Sequence, residues 1–286
     1  MGDSSSASGS RRDLGDSSSA SGSRRDLGDA FYLLDGDRFR STELTRGPWS
    51  HDHQHAGPPN GLLARAMEAV DGGEAKSVAR YTAEILRQVP ITTLTVSAEV
   101  VRPGRRVDLV EGTLGDDDGP IIRARAWRIR RQDVDGVPDI ARAGGPPEGP
   151  ESGREVLFFE TGADVGYHTA MEARFVRGAF REPGPALAWL RMRGPLVEGE
   201  EPSSLQRVLV AADSGNGLSA TLDYHAYVFI NTDLSVHLHR DLAGEWVCLD
   251  ARTVVGSDGR GLAETTVADE RGVIGRGLQT LFVEAR

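Results

Sequence analysis

One cysteine, Cys248, is all that the 286 residues contain, so no disulfide can close within the chain. No apolar run approaches the ~18 residues of a membrane span. The first residues carry Ser, Arg and Asp where a secretory signal would be apolar. Positive charge is also scarce: Lys+Arg 33 against Asp+Glu 43 leaves a net charge of −10. That sign is wrong for a protein whose affinity comes from neutralising phosphates, although a local basic patch facing an anionic cofactor is still compatible with it. These absences fit a reducing, cytoplasmic setting with neither nucleic acid nor membrane as partner.

What is present begins with a repeat. Residues 2–14 read GDSSSASGSRRDL, and residues 15–27 copy that string without change. Such a segment supplies no apolar face, so residues 1–28 read as a disordered tail. Residues 133–153 are rich in Pro, Gly, Asp and Glu and read as a linker that reaches about 60 Å at ~3.3 Å per residue. The division is therefore a lobe over 29–132, the linker, and a lobe over 154–286. Each has enough chain to bury a core.

The two lobes share a pattern. Leu62, Leu63, Ala66, Met67 and Val70 form one helical stripe after Pro58-Pro59-Asn60, ended by Asp71-Gly72-Gly73. Leu205, Val208, Leu209 and Ala212 form another after Pro202-Ser203-Ser204, ended by Asp213-Ser214-Gly215. Alternating strands follow each helix, leading to Arg87 in one lobe and Arg240 in the other. Closing strands open at Gly119-Pro120-Ile121 and Gly272-Val273-Ile274. Arg87 to Arg240 and Ile121 to Ile274 are both 153 residues, which points to an internal duplication. Further alternating segments, 38–45, 173–180 and 187–192, add strands. A helix followed by a run of antiparallel strands predicts an α+β fold, with a sheet curved around each helix.

Three polar residues stand out in the second lobe. Asp213 closes the helix at the edge of its apolar stripe, Asn231 begins the following strand, and Gln279 lies in the closing strand among Leu278, Leu281 and Phe282. Their first-lobe counterparts are Asp71, Val78 and Ala126, so only the second lobe keeps a carboxylate with two amides. A buried Gln left unpaired costs ~1–3 kcal/mol, and Asp213 with Asn231 would satisfy it. The residues alone leave open a bland alternative: a capping Asp, a strand-end Asn and a stray core Gln.

The strings Asp213-Ser214-Gly215-Asn216-Gly217, then 229–240 (FINTDLSVHLHR), then Gly275-Arg276-Gly277-Leu278-Gln279-Thr280 resemble the second half of the TesB-like acyl-CoA thioesterases, the actinobacterial-type members in particular. Gly57-Pro58-Pro59-Asn60-Gly61 resembles the family more loosely, and the resemblance spans nearly everything after Asp29. It implies a double hotdog, two antiparallel sheets each wrapped around a central helix, and an acyl-CoA substrate. It also implies a catalytic group of Asp213, Asn231 and Gln279. Asn231 stands where the family has a hydroxyl residue, with Thr232 one position away.

In that reading Asp213 is the general base, and Asn231 and Gln279 hold the attacking water. Backbone N–H groups near Asn60 and Gly61 would polarise the carbonyl. Asn60, Gly61, His55 and Thr232 are the expected substrate contacts. No metal, cofactor or covalent intermediate is required, and a homo-oligomer of such chains is compatible with the reading.

Other features carry less. His51, His53 and His55 alternate as metal ligands can, but no fourth ligand stands in register, and the stretch reads as a polar loop at the helix mouth. His237 and His239 share a strand face read as solvated or at a lobe interface. Ser214 lacks the glycines of a nucleophile elbow, and Cys248 reads as core. Two rival functions stay open: hydration or dehydration of enoyl thioesters, with His55 as the catalytic His beside a carboxylate, and non-catalytic binding of acyl thioesters.

Overall fold

Two helices carry the apolar stripes. α1 (Gly57–Ala69) buries Leu62, Leu63 and Met67. A second, later helix (Ser204–Ala212) buries Leu205, Val208, Leu209 and Ala212 and is capped at its start by Ser203, whose hydroxyl accepts the Gln206 N–H. In this computed structural model residue 1 and residues 30–70, 75–141, 143–157, 159, 162–180 and 182–286 are described. The repeated tail and Asp71 fall outside the described residues.

The strands are β1 (Tyr32–Asp35), β2 (Arg38–Ser41), β3 (Lys76–Ile85), β4 (Thr93–Arg102), β5 (Val107–Asp116), β6 (Gly119–Arg130) and β7 (Arg154–Glu155). Then come β8 (Met171–Arg177), β9 (Ala186–Met192), β10 (Tyr227–Asn231), β11 (Asp233–Leu238), β12 (Val247–Val255), β13 (Arg260–Asp269) and β14 (Gly272–Ala285). The one-turn helix α2 (Tyr167–Ala170) precedes β8; Ser204–Ala212 is α3, and α4 (Gly215–Leu218) follows it closely. No helix among the described residues is long and apolar enough to cross a membrane.

The expectation of two separate sheets is corrected. The strands form one 14-stranded sheet in the order β1-β2-β4-β5-β6-β3-β11-β14-β13-β12-β9-β8-β7, with β10 also on β14. Its two halves are joined because β3 and β11 pair antiparallel, each satisfying backbone groups that would otherwise be a bare sheet edge.

That seam carries the duplication. Thr82 pairs with Ser235, and their hydroxyls are 3.2 Å apart across an offset of 153 residues. At the same offset, Arg87 bonds Asp116 and the Gly119 carbonyl, while Arg240 bonds Asp269 and the Gly272 carbonyl. The bulge after Val78 in β3 recurs as the break between β10 and β11 at Thr232.

α1 and α3 pack antiparallel. The Arg65 guanidinium meets Glu200 at 2.6 Å before the start of α3, and Ser203 donates to Glu68 at 2.7 Å near the end of α1. At the other end Gly57 lies so close to the last turn of α3 that a Cβ there would fall on the Val210 carbonyl oxygen. The α1–α3 pair thus presents two ends, each pairing the start of one helix with the finish of the other.

Candidate active site

Asp213 is the C-cap of α3, and the antiparallel packing aims it at the start of α1. An acid is the wrong sign for the end of its own helix but the right sign for the beginning of the next. Its carboxylate is buried and approached on both sides. Asn231, the last residue of β10, donates its amide to Oδ1 at 2.8 Å. His55, on the loop entering α1, places Nδ1 3.1 Å from Oδ2. Gln279 sits behind: its Nε2 donates to the Asp213 backbone carbonyl at 3.1 Å and approaches Oδ1 at 3.5 Å, while its Oε1 accepts the Asn216 N–H at 3.0 Å.

These groups stand on a cavity of about 1290 Å³. Asp213, Asn231, Thr232, His53 and His55 line it together with Trp49, Phe159, Phe180, Tyr224 and Phe229, so part of its wall is aromatic and part polar. The rings are layered. His55 stacks on Tyr167 at 3.8 Å and 1°, and Phe159 lies parallel to both. Tyr167 is anchored by donating to the Val210 carbonyl at 2.8 Å, with its hydroxyl also 2.9 Å from Ser214. Burial pushes the His55 imidazole below its usual value more than the nearby Asp213 carboxylate raises it, which favours the neutral ring.

The structure thus brings Asp213, Asn231 and Gln279 together, but it separates their surroundings. Asp213 and Asn231 face the cavity; Gln279 is 1% exposed and clips the corner between α3 and α4. Thr232 is at the cavity rim, with its N–H bonded to the Thr280 carbonyl.

Asn60 and Gly61 are not where the sequence reading put them. Asn60 is fully buried, donates to the Ala56 carbonyl and accepts from the Tyr81 hydroxyl at 2.7 Å. Its N–H is bonded to Ala56 as well. Gly61 packs against Val210 and Leu196. Neither lines the cavity, because this part of α1 faces the helix partner instead.

The three alternating histidines diverge: His51 is exposed, His53 is 2.9 Å from the Ser50 hydroxyl, and His55 meets Asp213. No group of three His, Cys, Asp or Glu among the described residues is arranged to hold a metal. Sequence reasoning missed Tyr167 and the aromatic wall. Phe159 sits in a stretch with no periodicity, Phe180 ends a segment read only as an alternating strand though the strand stops at Arg177, and nothing local to Tyr167 announces a ring stacked across the lobes.

Comparison with known proteins adds the family. Residues 45–129 match the acyl-CoA thioesterase N-terminal domain and residues 138–283 the acyl-CoA thioesterase C-terminal domain. No curated protein matches the sequence. Among solved structures, a hot dog fold protein of unknown function from Alicyclobacillus acidocaldarius is similar at 14% identity and TM-score 0.67, covering 91% of this chain and 98% of its own. The acyl-CoA thioesterase II TesB2 from Mycobacterium marinum is similar at 14% identity and TM-score 0.60, covering 89% and 94%. The tesB protein from Mycobacterium avium subsp. paratuberculosis is similar at 15% identity and TM-score 0.59, covering 90% and 94%. At these identities the structural likeness speaks to the fold.

Proposed function

The chain belongs to the acyl-CoA thioesterase family, whose two domains match most of its length, and from that premise we propose that it hydrolyses acyl-CoA to free acid and CoA at Asp213. The observation that carries the reading is the Asp213 carboxylate, buried at the cavity wall with Asn231 fixed to Oδ1 at 2.8 Å. Water attacks the thioester carbonyl carbon as Asp213 takes its proton. Asn231 keeps the carboxylate in one orientation and offers its amide oxygen to the water's second hydrogen. Gln279 acts through Asp213, by fixing the backbone at the corner. The tetrahedral oxyanion collapses, the C–S bond breaks, and the CoA thiolate recovers the proton from Asp213. A thiol near pKa ~8.5 leaves readily, so no metal or covalent intermediate enters the scheme. The substrate is an acyl thioester seated against the aromatic wall.

A second reading is supported by the His55–Asp213 contact at 3.1 Å. A carboxylate beside an imidazole suits hydration of an enoyl thioester, in which water adds across the double bond and the thioester survives. A panel of saturated and enoyl-CoA substrates separates the two. Free thiol released by the wild type, and lost in Asp213→Asn, is the expected result. Loss of enoyl absorbance without thiol would transfer the assignment to hydration. Binding without either change would leave a non-catalytic acyl-thioester binder.

A further inference from the structure

Hydrolysis at Asp213 generates an oxyanion, and preorganised donors aimed at it are a large part of catalysis. The start of α1 faces the site but has little to give. Pro58 and Pro59 carry no N–H. The Asn60 N–H is bonded to the Ala56 carbonyl at 3.1 Å, and the Gly57 N–H to His55 Nδ1 at 3.1 Å. From Gly57 to Asn60, therefore, no backbone donor is left free.

We propose that the Nε2–H of His55 is the oxyanion donor of the hydrolysis, held in that tautomer by the Gly57 N–H at Nδ1. The proposal rests on the thioesterase reading above. A neutral imidazole has one N–H and one in-plane lone pair. The Gly57 N–H is fixed by the backbone where α1 begins, and a proton on Nδ1 would meet it head-on. Nδ1 therefore accepts, and the ring's single proton resides on Nε2.

The polar protein contacts of His55 are made at Nδ1, from Gly57 and beside Asp213, and the ring lines the cavity. Nε2–H is thus left for whatever enters. The stack on Tyr167 fixes the ring plane. Burial favours the neutral ring, which donates a hydrogen bond without giving up a full proton. Base and donor then stand side by side: Asp213 deprotonates the water as His55 stabilises the charge appearing on the carbonyl oxygen.

The rival arrangement puts the proton on Nδ1, donated to Asp213, and leaves Nε2 as a base. The two differ in measurable ways. Nitrogen-15 shifts of histidine-labelled full-length protein, without substrate, are expected to show His55 as the Nε2–H tautomer; a Nδ1–H pattern overturns the proposal. In thiol-release assays, His55→Phe keeps a ring against Tyr167 and removes the donor. Its kcat should fall ~10²–10³-fold with KM changed less. His55→Gln, whose amide supplies an N–H in a similar place, should recover most of that loss.

A His55→Phe enzyme with wild-type kcat, or a His55→Gln enzyme as slow as His55→Phe, contradicts the donor role. A wild type that releases no thiol from any acyl-CoA defeats the hydrolysis reading instead, and the tautomer measurement still decides whether His55 is built as a donor.

Discussion

At the end of α3 the final turn meets an acid, Asp213; at the end of α1 the final carbonyls meet a cation, Arg128. The two places are related by the duplication. Arg128 is fully buried in β6 and donates to the Met67 and Val70 carbonyls at 3.1 and 2.9 Å, which is how a helix C-terminus is ordinarily satisfied. It also forms a two-bond pair with Asp108 at 2.9 and 3.0 Å, and Lys76 joins the same carboxylate. At the 153-residue offset, Arg128 and Asp108 become Leu281 and Gly261, while Val78 and Ala126 become Asn231 and Gln279.

One end is therefore closed by an internal ion pair, beside a pocket of about 360 Å³. The other opens on about 1290 Å³ with its charge facing what enters. Where a helix end serves stability the side chain matches the dipole; at Asp213 it opposes its own helix and matches the neighbour.

Breaking the closed end should cost stability and spare chemistry. Arg128→Met leaves Asp108 buried with Lys76 alone, and a loss of about 3–5 kcal/mol in denaturant unfolding is expected. Turnover per folded molecule should stay at the wild-type level; a large fall in kcat would mean that both ends serve the reaction. Burial raises the Asp108 carboxyl, but Arg128 and Lys76 outweigh it and hold it below its usual range. Stability from this group is present above the ordinary carboxylate pKa and is lost as pH falls through the lowered folded value. Acid unfolding of Arg128→Met should accordingly begin at higher pH.

Gly57→Ala strikes the open end through packing. Its new methyl falls on the Val210 carbonyl, so α1 must shift from α3, at a cost of about 1–3 kcal/mol. Because His55 and Asp213 meet across that contact, kcat should fall alongside the melting temperature. Intact kinetics would show that the approach of the helices does not set the site.

Gln279→Ala removes the clip and leaves the Asn216 N–H unpaired, a cost of about 1–3 kcal/mol. Turnover should drop, and the double variant with Asp213→Asn should be little slower than Asp213→Asn alone, since groups acting as a unit are not additive. Asn231→Thr should have the smallest effect. It brings a hydroxyl to the position, and near-wild-type thiol release is expected; loss of activity equal to that of Asp213→Asn would mean that the amide itself is required.

Both helices and the duplication were legible because apolar spacing and a constant offset are properties of the chain itself. Asp213, Asn231 and Gln279 were legible as polar residues at a helix end and on two strands whose first-lobe positions are apolar. The contacts that cross lobes were not. His55 and Asp213 are 158 positions apart in the chain and meet only because α1 and α3 run antiparallel. Asn60 looked available because a polar residue after two prolines suggests an open helix start. The hydroxyl of Tyr81, on a separate strand, consumes it. The single sheet was hidden for the same reason, since nothing in β3 or β11 alone reveals that each is the other's neighbour.

The most direct test is the rate of thiol release from acyl-CoA by Asp213→Asn, read together with its melting temperature. The change keeps shape and removes the proposed base, so kcat should fall ~10²–10⁴-fold. It also removes an acid from the end of α3, so the fold should be as stable as the wild type within about 1 kcal/mol. A well-folded Asp213→Asn that hydrolyses acyl-CoA at the wild-type rate would contradict the assignment of the open end as the catalytic one.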